Sequence, residues 1–173
     1  AACCATRSAC CRGAEVLTRA FTDPRTRAAG TAAGTWHGCD GNALAWEAFE
    51  ADGPLSVVFL HGGGQSRHSW RRAARALQAR GYPCLTFDLR GHADSDWIAD
   101  GDYRLSRFQG DLDRVLGHWA RPAVVVGASL GGITALLTAG NGSPWVRGLV
   151  MVDTAPKLNG QEIERLVDFL GHG

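Results

Sequence analysis

Hydrophobic positions along the chain follow two periods that alternate with each other. Ser56-Val57-Val58-Phe59-Leu60, Cys84-Leu85-Thr86-Phe87, Ala123-Val124-Val125-Val126 and Leu149-Val150-Met151-Val152 are short, nearly unbroken apolar runs, the mark of strands buried on both faces. Between them the spacing becomes helical. Trp70, Ala73, Ala74 and Leu77 recur on one face, Arg71, Arg72 and Arg75 occupy the others, and Gly81 follows as a stop. Leu105, Phe108, Leu112, Val115, Leu116 and Trp119 carry a second helix, and Leu130 to Ala139 form a third that is apolar nearly all round. Ala43 to Glu50 alternates roughly after the turn signal Asp40-Gly41-Asn42 and predicts an outer strand. Ile163, Leu166, Val167 and Leu170 give an amphipathic stripe near the end of the sequence. Short buried strands alternating with helices predict an α/β fold, a mostly parallel sheet with helices on both faces. Ligands bind at the carboxyl ends of such strands. The loops His61 to Gly64, Asp88 to Asp96, Gly127 to Gly131 and Asp153 to Pro156 all fall at those ends, so they are expected to build one site.

The third of these loops carries the chemistry. Gly127-Ala128-Ser129-Leu130-Gly131 lies directly between an apolar strand and an apolar helix, the setting in which a serine hydroxyl is held on a sharp strand-to-helix turn. Such a turn strains the serine backbone, and a side chain two positions before or after it would collide with the elements alongside. With 23 glycines in the chain, Gly-x-Ser-x-Gly alone carries little weight. The flanking strand and helix give it force. Ser129 is therefore the expected nucleophile, and a plain structural serine is the competing reading.

Three motifs in order extend the pattern: His61-Gly62-Gly63-Gly64 after one strand, Asp88-Leu89-Arg90-Gly91-His92-Ala93-Asp94-Ser95 after the next, and the Ser129 turn after the third. Over residues 35 to about 157 the chain resembles the α/β-hydrolase family. One departure is Ala93, where relatives commonly have Gly. The resemblance implies an acyl-enzyme formed on Ser129, and an oxyanion hole from the backbone N–H groups of Leu130 and Gly63. It implies no metal and no organic cofactor. Gly62, Gln65 and His68 are candidate substrate-binding residues, although Gln65 and His68 could equally begin the helix. His61 and His92 are expected to hold loops together, Asp88 and Arg90 to brace a loop as a pair, Trp70 and Trp119 to belong to the core, and His118 to be a satisfied boundary residue.

The family orders its catalytic groups Ser, then Asp or Glu, then His. Asp153 is the candidate acid, with loop bracing as the alternative. His172 is the sole histidine downstream of Ser129, in a Gly-His-Gly context that predicts no firm seat for a base. The chain accordingly reads as the amino-terminal portion of a hydrolase core, incomplete at the carboxyl end. Residues 1–34 read as a disordered leader, 35–157 as core and 158–173 as the start of a cap. His61 to Asp102 looks most like the branch named cofactor-free haloperoxidases, in which peroxide can replace water as acceptor. Epoxide hydrolases and haloalkane dehalogenases fit less well because they place Asp at the position of Ser129, while a C–C bond hydrolase remains an option. A non-catalytic binding scaffold is the second class.

Composition narrows the partners. At 173 residues, 45% hydrophobic and 20% charged, the chain can bury one sizeable core. No run approaches the roughly 18 to 20 apolar residues of a membrane span, and a cytoplasmic protein is expected. A net charge of +1, with the excess of Arg confined to residues 1–34, gives no expectation of nucleic acid. The expected partner is a small-molecule ester or acyl substrate, and the sequence leaves the oligomeric state unread. Cys3-Cys4 and Cys10-Cys11 are adjacent pairs with no matching Cys or His pair downstream, so neither a zinc site nor a disulfide framework is expected.

Overall fold

The computed structural model describes residues 30–154. Six strands form one sheet: β1 (Thr31–His37), β2 (Ala43–Phe49), β3 (Ser56–Leu60), β4 (Cys84–Phe87), β5 (Ala123–Ala128) and β6 (Val146–Val152). Three α-helices, α1 (Arg71–Gln78), α2 (Leu105–Trp119) and α3 (Leu130–Gly140), connect the later strands, and a single 3-10 turn, Arg67–Trp70, leads into α1. The strand order is β1-β2-β4-β3-β5-β6. β3, β4, β5 and β6 run parallel, while β1 and β2 pair antiparallel with each other and β2 with β4.

Burial follows from this order. β3 and β4 lie in the middle of the sheet and are buried throughout, as their unbroken apolar runs require. On one face Val58, Leu60, Leu85, Phe87 and Val125 pack with Phe108, Leu112, Val115 and Leu116 of α2 and Ala135 of α3. On the other, Val57, Phe59 and Cys84 pack with Ala74 of α1. Trp119 belongs to the first cluster, and its indole N–H donates to the Ser56 hydroxyl at 2.9 Å. Trp70 stacks on Phe59 with ring centroids 5.1 Å apart and donates to the Leu60 carbonyl.

Three elements depart from the sequence pattern. The segment Ala43 to Glu50 is not the outer strand, because β1 pairs along its whole length and takes the edge. β1 also begins at Thr31, inside the stretch whose composition reads as a leader. Among the described residues β6 lies at the opposite end of the strand order, and Val150 and Val152 are exposed, so the run Leu149 to Val152 is not buried on both faces there. Among the described residues no helix is long and apolar enough to cross a membrane. The stripe from Ile163 to Leu170, His172 and the four leader cysteines lie outside the described residues.

Candidate active site

Because β3 to β6 are parallel, the loops that follow them open on the same edge of the sheet. β3 and β5 are direct neighbours, with Leu60 opposite Gly127, so the His61 loop and the Ser129 turn start side by side. The turn is sharp. Ser129 has φ 45° and ψ −115°, an unfavourable region for any residue with a Cβ, and it precedes the first residue of α3.

The glycines around it are explained by contact. A Cβ on Gly127 would strike the Gly131 carbonyl and come within 2.6 Å of the Gly132 nitrogen. One on Gly131 would lie 2.6 Å from both the Leu60 Cβ and the His61 carbonyl oxygen. On Gly62 it would sit 3.3 Å from the Ser129 Cβ, which measures how closely the two loops approach. β6 closes the third side: the Ser129 N–H donates to the Val152 carbonyl at 3.2 Å, and the Thr154 hydroxyl donates to the carbonyls of Ser129 and Val152.

Two backbone N–H groups, of Leu130 and Gly63, are candidates to face a ligand at the serine. The Leu130 N–H opens α3 and so has no carbonyl one turn back within the helix to receive it, and the positive end of the helix dipole lies at the same place. In the His61 loop the Gly62 N–H donates to Gln65 Oε1 at 3.1 Å, and the Gly62 carbonyl accepts from the Gln65 N–H at 3.2 Å. Among the described residues nothing accepts from the Gly63 N–H. Gly64, at φ 72°, completes the turn in a conformation suited to glycine.

His61 holds this loop to its neighbour. Its ring is wholly buried, with Nδ1–H donating to the Gly62 carbonyl at 2.7 Å and Nε2 accepting from the Leu89 N–H at 3.0 Å. Burial pushes its pKa down to about 4, so the ring is neutral and both nitrogens are occupied. That arrangement suits a structural histidine. His92 likewise turns Nδ1 to the Arg90 carbonyl at 2.9 Å. His118 stacks on Trp36, and its pKa is lowered by burial.

Asp88 and Arg90 do brace loops, but not with each other. Asp88 is buried and binds Arg67 through both the guanidinium and the backbone N–H, while Arg67 reaches on to Asp94 at 2.8 Å. This ties the 3-10 turn to the loop after β4. Arg90 is fully buried and places two N–H groups on Asp111, at 2.7 and 2.8 Å. Its others meet Asp40, the Asp102 carbonyl and Cys39 Sγ. Ala93 has a positive φ of 45°, a backbone region that favours glycine.

The remaining sequence candidates are dispersed. Gln65 and His68 are both exposed, and the Gln65 side chain is engaged with Gly62. Asp153 is exposed at φ 52°, between two residues that hold the Ser129 backbone. No described side chain hydrogen-bonds the Ser129 hydroxyl. Cys39 and Cys84 are free thiols, with burial pushing Cys84 up to about 12. No group of three or more His, Cys, Asp or Glu among the described residues is arranged to hold a metal ion. Sequence reading missed Arg67, Asp111 and Thr154. Of these, Asp111 had a visible signal, a carboxylate inside the apolar stripe of α2.

Known proteins resemble this chain in sequence and in fold. A stretch of 101 residues is 44% identical to esterase Rv0045c of Mycobacterium tuberculosis, covering 58% of this chain and 33% of that protein. The chain is 36% identical over 116 residues to the mouse sn-1-specific diacylglycerol lipase ABHD11, covering 65% of this chain and 37% of the lipase. An alpha/beta hydrolase from Novosphingobium aromaticivorans superposes with a TM-score of 0.71 at 27% identity, over 84% of this chain and 52% of that structure. The Vigna radiata epoxide hydrolase VrEH1 shares the fold at a TM-score of 0.67, 22% identity, 79% of this chain and 46% of its own. The chain thus spans about a third of the length of the two relatives matched by sequence. The model of the alpha/beta hydrolase fold matches residues 56–172, which takes in every loop described above, and the chain belongs to that family.

Proposed function

We propose that this chain carries the nucleophile and oxyanion half of a serine-dependent hydrolase that cleaves small ester or acyl substrates through an acyl-enzyme. The observation that carries the reading is the strained backbone of Ser129, held at φ 45° and ψ −115° against a loop of glycines. A structural serine has no need of that conformation, whereas a nucleophile presented clear of its strand does. In the proposed reaction the Ser129 oxygen attacks the acyl carbon as its proton passes to a base. The carbonyl oxygen gains negative charge facing the N–H groups of Leu130 and Gly63, and collapse of the tetrahedral intermediate expels the alcohol. Water then takes the same path to release the acid.

Neutral His61 has both nitrogens in use and is not the base in this reading. The base belongs to residues beyond those described, and Asp153, exposed after β6, is the candidate acid. Esterase and lipase names among the relatives favour ester hydrolysis. They also favour water over peroxide as acceptor, against the haloperoxidase-like variant. Epoxide hydrolases also occur among the relatives, but a serine at position 129 favours acyl chemistry over epoxide opening.

The test is labelling with a fluorophosphonate alongside hydrolysis of p-nitrophenyl butyrate, in the chain and in Ser129→Ala. Label on Ser129 and turnover lost in the variant are expected. Undiminished turnover in Ser129→Ala would overturn the assignment, and absence of labelling in a longer form that supplies a histidine base would leave a binding scaffold as the better reading.

A further inference from the structure

We propose that Gln65 is a positioning residue whose side chain holds the Gly63 N–H open toward the oxyanion, an inference that rests on the acyl-enzyme reading above. Three hydrogen bonds converge on Gly62. Its carbonyl accepts from the His61 ring at 2.7 Å and from the Gln65 N–H at 3.2 Å, and its N–H donates to Gln65 Oε1 at 3.1 Å. Both polar groups of this buried residue are therefore claimed, and the next N–H along the chain, that of Gly63, has no acceptor among the described residues.

The reciprocal pair between positions 62 and 65 closes a tight turn around Gly63 and Gly64. In such a turn the N–H of the second residue points away from the ring of the turn. It is then available to a ligand. A Cβ on Gly62 would be 3.5 Å from Gln65 Oε1 and 3.3 Å from the Ser129 Cβ, so brace and nucleophile flank the same small residue. Donors stabilise a developing oxyanion only if they need not reorganise during the reaction. Gly63 and Gly64 are the most mobile residue type available, and a loop of three glycines does not keep such a direction unaided.

Gln65 does this from an exposed position. Among the described residues its amide oxygen alone of its side-chain atoms is bonded, and it is no part of the described core. Replacing it should loosen the donor while leaving the fold intact. The residue acts through Gly62 and touches no reacting atom.

The experiment uses the full chain and any longer form in which Ser129-dependent turnover is found, with Gln65→Met, which keeps length without a strong acceptor, and Gln65→Asn, which is too short to reach. Each should lower kcat about tenfold, leave KM within twofold, and slow fluorophosphonate labelling of Ser129 by the same factor, with the melting temperature unchanged. Wild-type labelling and kcat in both variants would overturn the positioning role while leaving the nucleophile assignment standing. A fall in melting temperature that accounts for the lost activity, or a rise in KM with kcat unchanged, would also overturn it. If the wild type itself fails to label in a longer form that supplies a histidine base, both readings fall together.

Discussion

Lowering the pH from 7 to 5 tests whether His61 holds the loop of Gly62, Gly63 and Gly64 in place as a neutral ring. Its Nδ1–H donates to Gly62 and its Nε2 accepts from Leu89, a pattern that a second ring proton would break. Burial is the chief cause of its lowered pKa, and the neighbouring His92 adds to it. The Gly62 carbonyl and Asp88 pull the other way without reversing it. The folded chain therefore takes up this proton only near pH 4, whereas the unfolded chain takes it up near 6.5. Protons bind the unfolded state more tightly in that interval, so the stability contributed by neutral His61 is present above 6.5 and is lost as the pH falls toward 4. The full difference amounts to about 3 kcal/mol, of which about 2 kcal/mol is lost by pH 5. That is a large fraction of the roughly 5–15 kcal/mol that holds a domain together. Urea unfolding followed by tryptophan fluorescence at pH 7 and pH 5, in wild type and His61→Gln, isolates the effect. His118, whose pKa is also lowered, acts in the same direction in both proteins and cancels from the comparison. Equal losses of stability in the two proteins would refute the reasoning, as would an NMR titration of the His61 ring with a midpoint near 6.5.

Other substitutions probe the rest of the frame. Ser129→Gly should raise stability by about 1 kcal/mol in urea unfolding by relieving the backbone at φ 45°, while abolishing any Ser129-dependent labelling. Gly127→Ala should cost more than about 2 kcal/mol, because its Cβ meets backbone of Gly131 and Gly132 that cannot move aside, and the loss is read from the same unfolding curves. Arg90→Met leaves the buried Asp111 without its charge partner and should destabilise by about 3–5 kcal/mol in chemical denaturation. Ala120→Gly, at an exposed helix end with φ 52° and ψ 37°, should raise the melting temperature, equivalent to about 0.5–1 kcal/mol.

How much of this was legible in the sequence depended on whether a residue answers to its neighbours in the chain or to distant ones. β3 and β4 are buried on both faces, so their runs are apolar without interruption and read directly. β1 gave no such signal. Gly34 stands opposite Trp46, where a Cβ would come within 2.9 Å of the indole, so this strand uses a small residue to seat a large one and loses its alternation. The Ser129 turn was legible because its steric demands fall on residues two positions away. Partners of Arg90 were not, since Asp111 and Asp40 reach it from a helix and a turn that only the folded sheet brings near. Gln65 read as a substrate-binding candidate or the start of a helix, and its bond to Gly62 was not legible, because it depends on the direction of a turn.

The pairing of β3 with β5 also bears on how the chain folds. The Ser56 hydroxyl donates to the Pro122 carbonyl across 66 positions, and the parallel ladder of the two strands begins at that point. β2, β4 and β3 form nearer contacts, and this long-range closure is the kind of step that slows folding. The two loops that face each other across Gly62 and Ser129 become neighbours in that same event. Formation of the site and closure of the central sheet should therefore share one rate, and a stopped-flow probe at either place should report the same slow phase.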